Sequence, residues 1–300
     1  QSIFYVQYRY AASRFMNVPL GTLLYEVNEI MDSNAVRQLI TEMGRVGKHL
    51  SEMGATEGAA GNISICVRDR LDIEEFFPRM TIIDLPQAAP DLAGATILVT
   101  GSGRRLREIA EAPTANLAGV VVQEGGRKAC LFMSADSHFK RVTSEFNSHL
   151  AIHHDQMRAR PIQVHAVVHA QPKYVTFLSH LPKYQDQNYF NNHLLRWQPE
   201  TIINLPEGSG VLPFLLPGSN HLMIETMLSM RDHQVVVWAQ HGIIARADES
   251  IFQALDLVEY LETAAQYEAL NLYTGEASSG IETEHLREIA EIWQVRQKVF

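Results

Sequence analysis

The sequence has few cysteines, no excess of basic residues and no long apolar run. Two cysteines, Cys66 and Cys130, are too few for a disulfide framework and are typical of a reducing compartment, so we expect a cytoplasmic protein. The net charge of −9 argues against nucleic acid or an anionic membrane as a partner, because both attract basic proteins. No apolar stretch approaches the roughly 20 residues that cross a bilayer. The N-terminus also lacks the pattern of a signal peptide.

The chain divides by composition into a short first segment and one large domain. Residues 1–32 are rich in aromatic side chains and poor in charge, which predicts an extension that packs on the body or on another subunit. Apolar residues recur at spacings of three and four over residues 34–54, which predicts a helix capped by Ser33 or Asn34. Residues 33–300 are therefore expected to form the folded domain.

Short β-type runs and longer helical runs follow that first helix. The predicted strands cover residues 62–67, 96–100, 118–123, 128–133, 164–170, 200–205 and 235–240. The predicted helices cover residues 144–159, 172–181, 220–230, 248–272 and 283–298. With no repeat and no long linker, this pattern predicts one α/β or α+β domain, with helices layered around a mixed sheet.

The stretch QVHAVVHAQ, residues 163–171, raises the question of a metal-binding histidine pair. On a helix, His165 and His169 would share a face, as in the H-E-x-x-H metalloproteases, but Ala166 occupies the position of the glutamate. The valines of the run favour a strand. On a strand, His165 and His169 lie about 13 Å apart, too far to share an ion, whereas His169 and Gln171 lie about 6.6 Å apart. We therefore reject the helical pair and expect His165 to be a surface or interface residue.

Four more segments have the composition of ligand-binding turns. They are AAGNIS (59–64), TGSG (100–103), TSE (143–145) and WAQHG (238–242). The TSE segment opens a helix, so the hydroxyl groups of Thr143 and Ser144 and the free N–H groups there can hold a phosphate. Taken singly, each segment has a simpler explanation as a turn or a helix N-terminus, and a lone strand histidine is more often structural.

Together and in this order, these segments resemble the class II, metal-dependent aldolase and adducin family, and within it the rhamnulose-phosphate aldolases. The resemblance runs from about residue 54 to residue 272. It implies a single αβα domain around a mixed, largely antiparallel sheet. It also implies a homotetramer of fourfold symmetry with the sites at subunit boundaries.

The resemblance assigns roles to particular positions of this chain. The positions that bind the substrate phosphate are Asn62, Ser102, Gly103, Thr143 and Ser144. The positions of the metal ligands are Glu145, His169, Gln171 and His241. Glu145 also matches the catalytic glutamate. Glu200, by a looser match, is a second acid/base that each subunit offers to its neighbour's site.

The implied reaction is the reversible cleavage of a ketose 1-phosphate, such as rhamnulose 1-phosphate, to dihydroxyacetone phosphate and a short aldehyde. The implied cofactor is one divalent ion, most often zinc, with manganese or cobalt as substitutes; it acts as a Lewis acid. Two alternatives remain open. One is a sugar-phosphate dehydratase or epimerase of the same family, and the other is a non-catalytic, adducin-like assembly protein.

The chain departs from the family pattern at two positions. Gln171 stands where the family has the second histidine of an H-x-H pair, and Ala59 stands where rhamnulose-phosphate aldolases carry an asparagine. Because an amide oxygen is a poorer zinc ligand than imidazole, the site either binds zinc more weakly, prefers a harder ion such as manganese, or holds none. We expect a bound ion, because the other three ligand positions survive.

The remaining histidines receive weaker assignments. His149 follows Glu145 by one helical turn, so it either orients that carboxylate or packs beside it. A structural role is expected for the others that have no evident partner, which are His153, His154, His180 and His193.

Overall fold

The computed structural model describes the backbone of residues 20–300 and the side chains of residues 33–300. The first helix, α1, spans Leu20–Glu52, so the helix start predicted at Ser33 or Asn34 is wrong. No glycine or proline lies between residues 22 and 43, and nothing in that stretch ends a helix. The helix passes through residue 32, and residues 1–19 of the predicted extension lie outside the described part. The division of the chain at residue 32 stays a prediction.

The described residues form nine strands in one sheet. They are β1 (Asn62–Val67), β2 (Arg79–Asp84), β3 (Thr96–Thr100), β4 (Leu117–Val122), β5 (Lys128–Met133), β6 (Val164–Ala170), β7 (Gly210–Leu212), β8 (Val235–Trp238) and β9 (Gly242–Ala247). Six of the seven predicted strands are present, four of them with the predicted bounds. β2, β7 and β9 were not predicted.

Eight further α-helices follow α1 in the described part of the chain. They are α2 (Pro113–Asn116), α3 (Phe146–Ala159), α4 (Lys173–Leu178), α5 (Gln187–Leu194), α6 (Pro199–Asn204), α7 (Asn220–Ser229), α8 (Ile251–Tyr273) and α9 (Thr283–Ile292). The strand predicted at 200–205 is wrong, because these residues form α6. Its β-branched run was misleading: Pro199 begins a helix here, and Thr201, Ile202 and Leu205 turn inward. No helix in the described part of the chain is long and apolar enough to cross a membrane.

The sheet has the strand order β2-β5-β4-β3-β1-β6-β9-β8-β7, and every neighbouring pair is antiparallel except β7 with β8. Helices α1 and α8 pack on one face, where Ala166 and Val168 of β6 join their core. Helices α3 and α7 pack on the other face, where Val167 joins Ile152 and Trp238. The predicted αβα domain with a largely antiparallel sheet is confirmed.

Helix α1 lies very close to the segment that follows the TGSG turn. A Cβ atom on Gly47 would lie 2.4 Å from the carbonyl oxygen of Leu106, and one on Gly44 would lie 2.9 Å from the Cα atom of Ala110. Both neighbours are backbone atoms, which cannot move aside as a flexible side chain can. These two glycines therefore allow α1 to lie close to the segment that follows the Ser102 turn.

We predict that Gly47→Ala lowers the free energy of unfolding by about 1–3 kcal/mol, because overpacking against the Leu106 backbone exceeds the gain in helix propensity. Urea unfolding followed by circular dichroism measures the change. Lys48→Ala, at the exposed neighbouring position, serves as the control and should stay within about 0.5 kcal/mol of the parent protein. A Gly47→Ala protein more stable than the parent would contradict the close packing.

Candidate metal and phosphate site

Three side chains that are distant in sequence meet beside the end of β6. Glu145 lies at the N-terminus of α3, His169 lies on β6, and His241 lies in the turn between β8 and β9. One ligand atom from each lies within 4.8 Å of the others. His169 Nε2 is 3.5 Å from Glu145 Oε2, and His241 Nε2 is 3.7 Å from Glu145 Oε1. In a tetrahedral zinc site, each ligand atom lies about 2.0–2.2 Å from the ion, and two ligand atoms are then separated by a distance similar to the two given above.

The ring of His169 is held in the orientation that a metal ligand needs. Its Nδ1 atom lies 2.8 Å from the carbonyl oxygen of Ile243. Because a carbonyl only accepts, Nδ1 carries the hydrogen, and the lone pair of Nε2 faces Glu145. A hydrogen bond from the second ring nitrogen to a backbone carbonyl is typical of metal-binding histidines. The Trp238 ring, 4.7 Å from the ring of His169 and 5.2 Å from that of His241, packs behind both.

Glu145 has an unsatisfied oxygen in the site. Its Oε1 atom is buried and accepts no hydrogen bond from any described residue, whereas Oε2 accepts one from Asn62 Nδ2 at 2.7 Å. A buried carboxylate oxygen without a partner is costly, and a cation satisfies it. The residues present therefore fit a divalent ion held by one carboxylate and two imidazoles.

The pKa of Glu145 is lowered from its ordinary value. Burial alone raises it, but His169, the hydrogen bond from Asn62, and His241 and His149 together outweigh burial. Burial and the neighbouring His169 lower the pKa of His241 to about 4, although Glu145 acts in the opposite direction. The site is thus an ionised carboxylate beside an imidazole with an available lone pair, which is the protonation state that metal binding requires.

The turn that carries His241 explains the WAQHG segment. Gln240 has a φ of 64°, and its N–H donates to Ser179 Oγ at 2.8 Å. A Cβ atom on Gly242 would lie 2.4 Å from the carbonyl oxygen of Ala170, so only glycine fits at this first position of β9, directly after His241. This left-handed residue and the close approach together aim the imidazole at Glu145.

The predicted phosphate-binding residues line the same cavity as the three ligands. The cavity has a volume of about 200 Å³. Its lining includes the predicted residues Asn62, Ser102, Gly103, Thr143, Ser144, Glu145, His169, Gln171 and His241. Ala59, the second departure from the family pattern, lines it too. All of the predicted site residues except Glu200 are therefore brought together.

Two of the residues that line this cavity have free backbone donors. Within the described chain, the backbone N–H groups of Gly103 and Ser144 have no hydrogen-bond partner. Arg104 also lines the cavity, held by Asn116 Oδ1 at 2.8 Å and by Glu108 Oε2 at 2.6 Å. Arg104 is not among the predicted site residues, although an arginine directly after a glycine-rich turn is a usable signal for anion binding.

Gln171 lies at the mouth of the site directly after β6. It lines the cavity and is half-buried, and its N–H donates to the Ala55 carbonyl at 2.7 Å. Its Cγ atom lies against the backbone of Gly242, where a Cβ atom would be 3.1 Å away. Its place as a ligand stays a prediction.

Glu200 does not reach this cavity within one chain. Its side chain is exposed on α6, and it lines a separate groove with Gln198, Tyr260 and Thr263. A role for Glu200 at the Glu145 site therefore requires a second subunit.

The structure corrects the expected position of His165 and shows how His149 is linked to Glu145. His165 is fully buried rather than a surface or interface residue, and its Nδ1 atom lies 2.7 Å from Nδ1 of His153. The predicted strand geometry placed it on the same face as His169, but α3 covers that face. His149 reaches Glu145 through Asn62, since His149 Nε2 lies 2.5 Å from Asn62 Oδ1. Burial is the main cause that lowers the pKa of His149 to about 3.

Comparisons with known proteins identify the family of this chain. The family model described as "Class II Aldolase and Adducin N-terminal domain" matches residues 41–269. The rhamnulose-1-phosphate aldolase of Listeria monocytogenes is 28% identical over 90% of this chain and 97% of its own. The rhamnulose-1-phosphate aldolase of Bacteroides thetaiotaomicron is 27% identical over 85% of this chain and 94% of its own.

Among solved structures, the sugar-phosphate aldolase from Thermotoga maritima superposes with a TM-score of 0.70 at 27% identity. The match covers 82% of this chain and all of that one. The family model covers α3, β6 and the turn that carries His241, and so all three side chains of the candidate metal centre. The chain belongs to the class II aldolase and adducin family.

Proposed function

We propose that this protein is a metal-dependent lyase that cleaves a ketose 1-phosphate, of the rhamnulose 1-phosphate type, to dihydroxyacetone phosphate and a short aldehyde. The observation that carries the proposal is the convergence of Glu145, His169 and His241 with two donor-rich turns in one cavity. The names of the relatives support the same reaction class. An ion centre beside a phosphate pocket suits a substrate that carries an oxygen-rich carbon skeleton and a phosphate.

Glu145, His169 and His241 hold the divalent ion in this proposal, with Gln171 as the further protein ligand. The ion, when bound, supplies a Lewis acid that polarises the substrate oxygens. Zinc suits two imidazoles and a carboxylate, while the neutral amide oxygen of Gln171 shifts the preference toward harder ions such as manganese.

Glu145 is the general acid/base of the proposed reaction. In cleavage, the substrate hydroxyl that becomes the aldehyde oxygen gives up its proton, for which Glu200 of a second subunit is the proposed acceptor, and the protonated carboxyl group of Glu145 delivers a proton to the carbon that becomes part of dihydroxyacetone phosphate. In synthesis, the Glu145 carboxylate removes that proton and Glu200 protonates the aldehyde oxygen. Asn62 fixes one oxygen of this carboxylate through its 2.7 Å hydrogen bond, so the second oxygen, Oε1, serves the ion while the site holds no substrate and acts on the substrate proton once substrate is bound. A carboxylate with a lowered pKa is ionised at neutral pH and is ready as the base in the synthetic direction.

In this proposal the phosphate is held mainly by neutral donors, with the Arg104 side chain lining the same cavity. Five of the residues that line the cavity supply such donors. They are Gly103 and Ser144 with their N–H groups, Ser102 and Thr143 with their hydroxyls, and Asn62 with its amide. Such donors bind an anion without the protein carrying net positive charge, which accords with a net charge of −9.

Glu145→Gln tests the proposed reaction. The variant keeps the shape of the side chain but cannot carry the proton, so we expect kcat for dihydroxyacetone phosphate release from rhamnulose 1-phosphate to fall by at least about 100-fold. A coupled assay with excess zinc, manganese or cobalt measures release. Glu124→Gln, an exposed acid outside the cavity, is the matched control and should retain full activity.

Each remaining outcome of that assay has a distinct meaning. Consumption of the substrate without dihydroxyacetone phosphate would replace the lyase with a dehydratase or epimerase. If the parent protein gives no turnover with any of the three ions, the non-catalytic, adducin-like alternative would stand.

Gln171→His tests the ligand position. A third imidazole should raise the zinc affinity by at least about tenfold, because imidazole is a better zinc ligand than an amide oxygen. Competition with a chromogenic chelator measures the affinity. Gln163→His adds an imidazole at an exposed position near the start of the same strand and should leave it unchanged; equal affinities for parent and Gln171→His would exclude residue 171 from the ligand set.

Mixing two inactive variants tests whether Glu200 acts across a subunit boundary. If each site takes Glu145 from one subunit and Glu200 from the next, a refolded equal mixture of Glu145→Gln and Glu200→Gln should regain about a quarter of the parent activity. The mixture would stay inactive if both residues served the site of their own chain. A Glu200→Gln protein with full activity would remove Glu200 from the mechanism altogether.

A further inference from the structure

We infer that a buried chain of hydrogen bonds through His149, Ser64, His153 and His165, here called the histidine relay, sets the orientation of the Asn62 amide and so positions Glu145. All four residues are fully buried between the sheet and α3. None of them lines the cavity. Their proposed role is therefore to position Asn62, not to touch the substrate.

The relay is continuous from the site to the far end of β6. His149 Nε2 lies 2.5 Å from Asn62 Oδ1, and His149 Nδ1 lies 2.6 Å from Ser64 Oγ. Ser64 Oγ also lies 2.7 Å from His153 Nε2. The last contact, between Nδ1 of His153 and Nδ1 of His165, is 2.7 Å. Every contact is within hydrogen-bond distance, so each pair shares one hydrogen.

The hydrogen positions along the relay can be followed from the arrangement in which Asn62 holds the Glu145 carboxylate. An ionised carboxylate only accepts, so Asn62 must turn its NH₂ group toward it and its carbonyl oxygen toward His149. His149 must then carry its hydrogen on Nε2, which leaves Nδ1 to accept the hydroxyl hydrogen of Ser64. The Ser64 oxygen in turn accepts the hydrogen on Nε2 of His153.

The far end of the relay agrees with this direction. His153 Nδ1 is left as an acceptor and takes the hydrogen on Nδ1 of His165. His165 Nε2 then needs no acceptor, and it makes no hydrogen bond with any residue that the structure describes. The nearest carboxylate oxygen, Asp248 Oδ1, is 4.0 Å away and is engaged by Arg160 and Arg246.

A single neutral tautomer at each histidine is required for this arrangement. Burial is the largest of the effects that lower the pKa of His153 and of His165 well below the ordinary value. The charges of Arg246 and Arg160 act in the same direction on His165. A neutral imidazole carries one hydrogen, so it donates on one side and accepts on the other. All hydrogen bonds of the relay therefore run in the same direction.

The opposite direction would disturb the site. With every hydrogen reversed, His149 Nε2 would accept from the Asn62 NH₂ group, and the amide oxygen would face the Glu145 carboxylate at hydrogen-bond distance. Two acceptors in contact repel each other, and the Glu145 carboxylate would lose the one hydrogen bond that it accepts from the described residues. The relay therefore favours the amide orientation in which Glu145 is held.

Neutron diffraction from a deuterated crystal of the full-length, zinc-soaked protein tests the direction without reference to activity. We expect deuterium on Nε2 of His149, on Nε2 of His153 and on Nδ1 of His165. Deuterium on the opposite nitrogens of these rings, or two on one ring, would overturn the inference.

A pair of serine variants tests the effect on Glu145. Ser64→Ala removes the hydroxyl that links two histidines, whereas Ser148→Ala removes an equally buried hydroxyl on α3 that has no hydrogen-bond partner in the described chain. We expect Ser64→Ala to lower kcat by about tenfold, as is common for groups that orient a site residue, and Ser148→Ala to stay within twofold. Equal losses in both variants, or none in either, would reduce the relay to ordinary packing.

The kinetic comparison rests on the proposed function, but the hydrogen positions do not. A protein without lyase activity would end the proposed function and leave the neutron result to decide the relay alone. Conversely, an active enzyme with reversed tautomers would refute the relay and leave the lyase assignment intact.

Discussion

The antiparallel register of β1 against β6 is the constraint on which the site depends. It places Asn62 directly opposite His169, and so brings the turn before β1 against the end of β6, the strand that carries His169. Because side chains alternate along a strand, a slip of one residue would turn Asn62 away from Glu145. The same register sets Ser64 opposite Val167 and Cys66 opposite His165, so one pairing of strands builds both the site and the buried polar chain behind it.

The sequence predicts most strands and the long helices, but not the helix at residues 199–204 or the start of α1. β1, β3 and β6 have strong β-branched runs bounded by turns, and local composition determines them. The run at 200–205 has similar composition, but packing of its inward-facing residues makes it helical, which only the tertiary structure decides. The start of α1 was missed for the opposite reason, since residues that can cap a helix also occur inside one.

The candidate site was predictable through family motifs, while its supporting contacts were not. The turns near Asn62 and Thr143 have recognisable residue orders. The contacts of Ser64 with His149 and His153 join residues 85 and 89 positions apart, and no local pattern reveals them. His165 shows the limit most clearly: the alternation of strand residues predicted its face, but only the packing of α3 shows that this face is buried.

The three candidate ligands differ in how firmly the fold holds them. The side chains of His169 and Glu145 are 1% and 7% exposed, while that of His241 is 12% exposed and sits on a short turn with a left-handed residue. Any ion held there is released most easily on the His241 side. The candidate centre is therefore most accessible on the side of one hairpin turn, while its other two side chains are packed between the sheet and α3.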